Sequence, residues 1–292
     1  MSGVVVLGDV MWDVVALADG PLERGSDTPA RITAAGGGGG ANVAAWLAAA
    51  GVPAALVARV GDDGPGRATL AGPRAAGVDV RAAVDAERPT GTCVVLVEPG
   101  GERSMLPDPG ANAALCKHDL PDDLFAAGGH LHLAGYALLR PGSRAAARAA
   151  LQRATAAGMT VSVDPSSAAP LRVEPTFLEW VAGAHLLLPN AAEAEVLTGE
   201  ADPATAARAL ARHAGEVVVT LGREGALWTD GRRVVRTAAA EPPAAVVDTT
   251  GAGDAFAAGL LAARRAGSPP EAQLLAAARL AAEAVARPGA RP

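Results

Sequence analysis

Residues 246–267 read VVDTTGAGDAFAAGLLAARRAG: a β-branched start, a turn of small residues, then an apolar-periodic run that closes at Gly267. That order predicts a strand, a turn and an amphipathic helix. In TTGAGD, the residues Gly251, Ala252 and Gly253 fall where the helix begins. Backbone N–H groups there have no acceptor within the helix, so such a turn binds anions. Asp254 follows in the first helical turn, where the helix dipole favours a carboxylate. An ionised base beside an anion site is what phosphoryl transfer to an alcohol requires. The carboxylate takes the hydroxyl proton while fixed N–H donors stabilise charge on the moving phosphoryl group. Gly251 and Gly253 would let phosphate approach the backbone closely. An ordinary helix N-cap would also place Thr and Asp here. The combination of turn, acid and following helix is what favours a site.

Outward from that stretch, short apolar runs alternate with alanine- and leucine-rich helical ones: VVVLG (4–8), ANVAAWLAAAG (41–51), AALVARVG (54–61), HLHLAG (130–135), SRAAARAALQRATAAG (143–158), MTVSVD (159–164), HLLLPN (185–190) and EVVVTLG (216–222). Uniformly apolar strands separated by helices predict βαβ units and a parallel sheet covered on both faces, a three-layer α/β domain spanning 1–292. Residues 13–35 and 88–106 alternate like half-exposed strands, the second with a hairpin signal at EPGGER (98–103). They are expected to form a small antiparallel sheet projecting as a lid.

Composition narrows the function. The 292 residues carry a net charge of −6 with both signs interspersed, so nucleic acid is not an expected partner. No apolar run reaches the roughly 20 residues that cross a bilayer, and the N-terminus lacks signal-peptide features, which makes a cytoplasmic protein the expectation. The two cysteines, Cys93 and Cys116, make neither metal spacing nor a disulfide framework. His130 and His132 share one face of a strand without a third ligand nearby, as buried structural histidines do. Asp62 and Asp63 and the GREG and GRR turns read as solvated loops. Five glycines at 36–40 lead into Ala41 and Asn42. A linker should separate two folding units, and a phosphate cradle is already supplied at TTGAGD. They therefore read as a close-approach loop, with Asn42 supplying directional hydrogen bonds or capping the next helix.

DTTGAGDAF (248–256) resembles the C-terminal signature of the ribokinase-like, phosphofructokinase B-type carbohydrate kinases, and the likeness runs over essentially the whole chain. GDVMWD (8–13), GGGGAN (37–42), VGDDGPG (60–66), TGTCVVLVEPGGERSMLPDPGAN (90–112), VSVDPSS (161–167), NAAE (190–193) and VVVTLGREGALW (217–228) are similar to that family's successive motifs. The resemblance implies Asp254 as catalytic base with Gly251, Ala252 and Gly253 as anion hole. It implies Asp13, Gly38, Gly39 and Asn42 at a sugar, and Asn190, Thr220, Gly222 and Gly225 at ATP. Glu193 would act on Mg²⁺ through water, although Asn190 and Glu193 also have capping-box spacing. Asp248 and Thr250 are similar to positions that surround K⁺ in some members, although a strand end and a turn explain them too. A homodimer through the lid is common among relatives.

Departures from the family concern the sugar. Met11 stands where ribokinases often have Asn, Gly39 where they have Lys, and HLHLAGYALL (130–139) lacks their acidic residue, so ribose is a candidate only. Trp12, between Asp9 and Asp13, reads equally as core or as part of the sugar end. The leading expectation is an ATP-dependent kinase acting on a hydroxymethyl group of a sugar or sugar-like molecule. The alternatives are an adenosine-type nucleoside kinase or a non-catalytic sensor on the same fold. A dinucleotide oxidoreductase would fit GGGGGA with acids at 62 and 63, but the fingerprint does not follow the first strand directly.

Overall fold

The computed structural model describes residues 3–98 and 103–292, so the turn of the 98–103 hairpin lies outside the described residues. In chain order the strands are β1 (Val4–Leu7), β2 (Met11–Ala18), β3 (Ala30–Gly37), β4 (Ala54–Gly61), β5 (Asp79–Asp85), β6 (Gly91–Val97), β7 (Arg103–Asp108), β8 (His130–Ala134), β9 (Thr160–Asp164), β10 (Ala184–Leu187), β11 (Ala214–Thr220), β12 (Ala226–Thr229) and β13 (Val234–Thr237). The helices are α1 (Gly39–Ala49), α2 (Gly64–Ala75), α3 (Tyr136–Leu139), α4 (Pro141–Ala156), α5 (Ala168–Leu171), α6 (Phe177–Trp180), α7 (Ala191–Thr198), α8 (Pro203–Leu210), α9 (Ala252–Arg265) and α10 (Pro270–Val285).

The large sheet runs β13-β12-β11-β10-β9-β8-β1-β4-β5. Pairing is parallel from β11 to β5, and β12 runs against both of its neighbours. Strand alternation then divides the core between two faces. Val5 and Leu7 of β1 pack with Ala146, Ala147 and Ala150 of α4 on one face. Val4 and Val6 pack with Trp46 and Leu47 of α1 and Leu260 and Leu261 of α9 on the other. Both faces are covered, which is why these strands are apolar throughout rather than alternating.

The second sheet runs β3-β2-β6-β7 and is mixed, not antiparallel as expected: its two hairpin pairs, β2–β3 and β6–β7, are antiparallel, but β2 and β6, joined by a long crossover, pair in parallel. Its strands start or stop two or three residues from the boundaries expected from sequence, because Met11 pairs with both Gly37 and Gly91. Its small buried cluster is Met11, Cys93 and Val95. Trp12 lies on the opposite face from Asp13 by alternation and is only half-buried, so the two do not flank one site.

Three further readings of the sequence are corrected. Residues 246–248 are not a strand: Val247 and Asp248 N–H both donate to the Val285 carbonyl, at 2.8 and 3.3 Å, so the segment runs along the end of α10 instead of joining a sheet. Asn42 does not cap α1, whose first residue is Gly39 and whose N-cap is Gly38. Asp63 is no solvated loop residue. It caps α2 through Gly66 N at 2.7 Å and accepts from Thr90 N and Oγ1 at 2.8 and 2.6 Å, tying α2 to the segment that enters β6.

Candidate active site

The first turn of α9 stands by the C-terminal ends of β8, β9 and β11, beside a cavity of about 290 Å³ lined in part by Gly251, Gly253 and Asp254. Gly251, at φ 77°, precedes the helix, and Ala255 N–H makes the bond to its carbonyl at 2.9 Å. A Cβ there would lie 2.7 Å from Cα and Cβ of Ala290, so both conformation and packing require glycine. A Cβ on Gly253 would meet nothing within 4 Å, so its backbone is open to the cavity. Ala252 opens on a second cavity instead.

Asp254 Oδ2 accepts from Asn42 Nδ2 at 2.8 Å, across 212 residues of sequence. Burial pushes the Asp254 carboxyl up to about 7; the Asn42 hydrogen bond and Arg291 oppose the rise, and Asp164 and Asp13 add to it. Asp13 is likewise raised to about 6 by burial, against the pull of Arg291.

The glycines around α1 have separate reasons. Gly37 lies against the Asp13 carboxylate, where a Cβ would collide with Oδ2. Gly38, at φ 94°, closes on the Asp9 carbonyl. At Gly39 a Cβ would have one neighbour within 4 Å, Asp254 Oδ1 at 3.4 Å, so this position faces the Asp254 carboxylate directly. The helix start thus presents Asn42 and bare backbone to Asp254.

On the far side of the cavity Glu193 and Asp164 face each other. Asn190 and Glu193 form the reciprocal capping box at the start of α7: Glu193 N donates to Asn190 Oδ1 at 2.9 Å, and Asn190 N donates back at 2.9 Å. Glu193 is 3% exposed and its carboxyl is raised to about 8, first by burial and then by Asp164. Asp164, raised to about 6 by burial, accepts from Ser166 N at 2.6 Å. Two sequestered carboxylates that resist ionising together form a donor set that a hard divalent cation with several waters would satisfy. Thr220 lines the same cavity and is bridged to Asn190.

Gly222 and Gly225 line the second cavity, of about 500 Å³, whose other walls are largely apolar: Val246, Phe256, Ala278 and Ala282 among them. Phe256 lines both cavities. Asp248 accepts from Thr250 N at 2.8 Å and Gly289 N at 3.1 Å, so it anchors the turn before α9 to the segment that follows α10.

Several residues in and around the site had no role in the chemistry assigned from sequence. Asp164 was visible only as part of VSVDPSS. Asp9 lines the first cavity and is held by Arg140, Nη1 and Nη2 each 2.7 Å from a carboxylate oxygen. Asn112 clamps the β1–β2 connection by accepting from Val10 N at 3.0 Å and donating to its carbonyl at 2.9 Å. Arg291 donates from Nε to Asn42 Oδ1 at 3.0 Å. His130 and His132 both reach Ser162 Oγ, at 2.7 and 2.8 Å, and burial lowers them to about 3 and 4, so both are neutral.

Comparison with known proteins gives the family. Residues 1–292 match the pfkB family carbohydrate kinase model. A fructokinase of Klebsiella pneumoniae is 35% identical over 285 residues, covering 93% of this chain and 87% of that protein. The crystal structure of an adenosine kinase from Sinorhizobium meliloti superposes with a TM-score of 0.91 at 28% identity, covering 100% of this chain and 96% of the other. Arabidopsis thaliana ribokinase complexed with ribose and ATP gives 0.81 at 25%, covering 99% and 95%. The chain belongs to the pfkB family of carbohydrate kinases, and is a sugar kinase with the ribokinase fold. It is accordingly a phosphotransferase acting on an alcohol group.

Proposed function

We propose that the protein transfers the γ-phosphoryl group of ATP to a hydroxymethyl group of a sugar or sugar-like acceptor, with Asp254 as general base. The observation that carries this reading is Asp254 itself, set between Asn42 on the acceptor side and the open backbone of Gly253 on the phosphate side. Asp254 takes the proton as the acceptor oxygen bonds to the γ-phosphorus; the bond to the bridging oxygen breaks and ADP leaves. N–H groups of the 251–253 turn receive the charge that builds on the phosphoryl oxygens. Asp13, the backbone at Gly38 and Gly39, and Asn42 orient the acceptor hydroxyls, with the four-stranded sheet as the lid over them. The apolar cavity at Gly222, Gly225 and Val246 suits a nucleobase, with Asn190 and Thr220 towards the phosphates. Mg²⁺, held through water by Glu193 beside Asp164, would neutralise phosphate charge; K⁺ at the Asp248–Thr250 turn would be a second, structural cation.

A second reading, a nucleoside acceptor, is favoured by the likeness to the adenosine kinase. Release of ADP over a panel of pentoses, hexoses, 2-keto-3-deoxy acids, sugar phosphates and nucleosides separates the two. Turnover of at least one acceptor by the wild type and its loss in Asp254→Asn is the expected result; equal rates in both proteins would exclude this mechanism, and a sensor would turn over none.

A further inference from the structure

Arg291 lies in the segment after α10, 249 residues from Asn42 in sequence, yet its side chain reaches into the site. Its backbone neighbourhood is pinned: Trp46 Nε1 donates to the Ala290 carbonyl at 3.0 Å, and Gly289 N to Asp248 at 3.1 Å. The guanidinium then spends its donors on three elements. Nε donates to Asn42 Oδ1 on α1, Nη1 to the Thr69 carbonyl on α2 at 2.7 Å, and Nη2 to the Gly37 carbonyl on β3 at 2.6 Å. A Cβ on Gly36 would sit 2.7 Å from Nη1, so the glycine run also makes the channel through which this side chain passes.

An amide oxygen and nitrogen are nearly equivalent in shape, so orientation must be set by partners. Arginine has only donors, and an ionised carboxylate only acceptors. With Arg291 on one side of Asn42 and Asp254 on the other, a single orientation satisfies both: oxygen to Arg291, Nδ2 to Asp254. We propose that Arg291 is a positioning residue of the transfer site, fixing the Asn42 amide so that it donates to the base and placing a permanent cation beside Asp13 and Asp254. The proposal rests on the reading of Asp254 as general base.

Removing Arg291 frees the amide to turn its oxygen to Asp254, where it accepts from the protonated acid and stabilises the wrong form. The loss of the cation acts in the same direction. The other charged groups facing Asp254 are Asp164 at the end of β9 and Asp13 on β2, both of which already raise it, and Arg291 and the Asn42 hydrogen bond are the influences that lower it. Asp13 faces Arg291 and Asp248. The acid limb of kcat/KM must therefore move to higher pH when Arg291 is neutralised.

The experiment measures kcat/KM against pH for wild type, Arg291→Met, Arg291→Lys, Asn42→Ala and the Arg291→Met/Asn42→Ala double variant, with Asp254→Asn alongside. Arg291→Met is expected to lose ~10-fold or more at pH 7, in the range set by misplaced catalytic groups, with its acid limb displaced upward. Arg291→Lys keeps the charge and is expected to hold the limb near the wild-type pH. In the Asn42→Ala background, Arg291→Met is expected to add no further loss on the high-pH plateau, where both changes remove the same amide interaction, while the lost cation still displaces the acid limb. A strut that only joins α1, α2 and β3 would lower the melting temperature and leave the limb in place. A wild-type limb in Arg291→Met, or plateau losses that multiply in the double variant, overturns the proposal. If Arg291→Met does not fold, the same cycle with Arg291→Lys decides it, by whether its rate loss persists without Asn42. Full activity of Asp254→Asn would instead remove the mechanism on which the proposal stands.

Discussion

Asp254 is held in a state that suits a base working near neutrality. Its carboxyl is raised to about 7, so kcat/KM is expected to climb with pH up to about 7 and level above it, as a rate–pH profile on saturating ATP would show. Asp254→Asn is expected to lower kcat by ~10²–10⁴-fold. The same substitution has a readable effect on stability. A carboxyl whose folded value lies above its unfolded 3.8 binds its proton more tightly when folded, so it favours folding below pH 4 and loses that advantage as pH rises through 7. Asp254→Asn should therefore gain melting temperature relative to wild type at pH 8 and not at pH 4, measurable by calorimetry at both. Gly253→Ala tests the anion turn without steric damage, since a methyl there meets no protein atom within 4 Å. Unchanged melting with a kcat loss on the order of 10²-fold is expected, because the methyl stands where phosphate must approach; undiminished kcat would show that phosphate does not bind at this turn.

At the scale of elements, Asp63 shows what a local reading misses. Its helix-cap role could be read from Asp-Gly-Pro at 63–65, but two of its three hydrogen bonds come from Thr90, which no spacing rule connects to it. Asp63→Ala leaves Thr90 N and Gly66 N without this acceptor and is expected to destabilise by about 1–3 kcal/mol, a drop in melting temperature that circular dichroism would record; no change would mean water replaces the carboxylate at no cost. The same contrast divides the site. The geometry of TTGAGD was legible because the turn, Asp254 and the helix that positions them are contiguous, and that of NAAE because a capping box is a four-residue pattern. Arg291 was not, since a lone arginine near Pro and Gly has no periodicity and acts only where folding brings it to Asn42. The 246–248 segment failed in the opposite way: β-branched residues favour a strand, but no sheet edge is offered to them, and Val246 instead lines a cavity. The layered α/β architecture was readable because both faces of the large sheet are buried, which leaves the apolar runs unbroken along each strand.

At the scale of the molecule the two sheets differ in how they treat apolar residues. The large sheet hides them on both faces except at its β5 edge, where Val84 is exposed. Among the described residues, five of the eleven exposed large hydrophobics, Leu17, Ile32, Val94, Met105 and Leu106, belong to the four-stranded sheet. Register puts Ala34, Val14, Val94 and Leu106 in one row across it, and Ile32 next to that row on the same face, opposite the face that carries Asp13 and Cys93. An uncovered apolar face on a twisted sheet with open edge strands β3 and β7 is where another copy of the chain would pair or pack. A homodimer through this sheet is the expected outcome, and it would also steady the surface that carries Asp13. Light scattering should give twice the 28.9 kDa chain mass for the wild type. Ile32→Asp combined with Leu106→Asp should return the mass to a single chain and raise KM for the acceptor more than it lowers kcat, because the altered face touches neither Asp254 nor the anion turn. A wild type that remains at one chain mass at all concentrations would assign the exposed row to some other role.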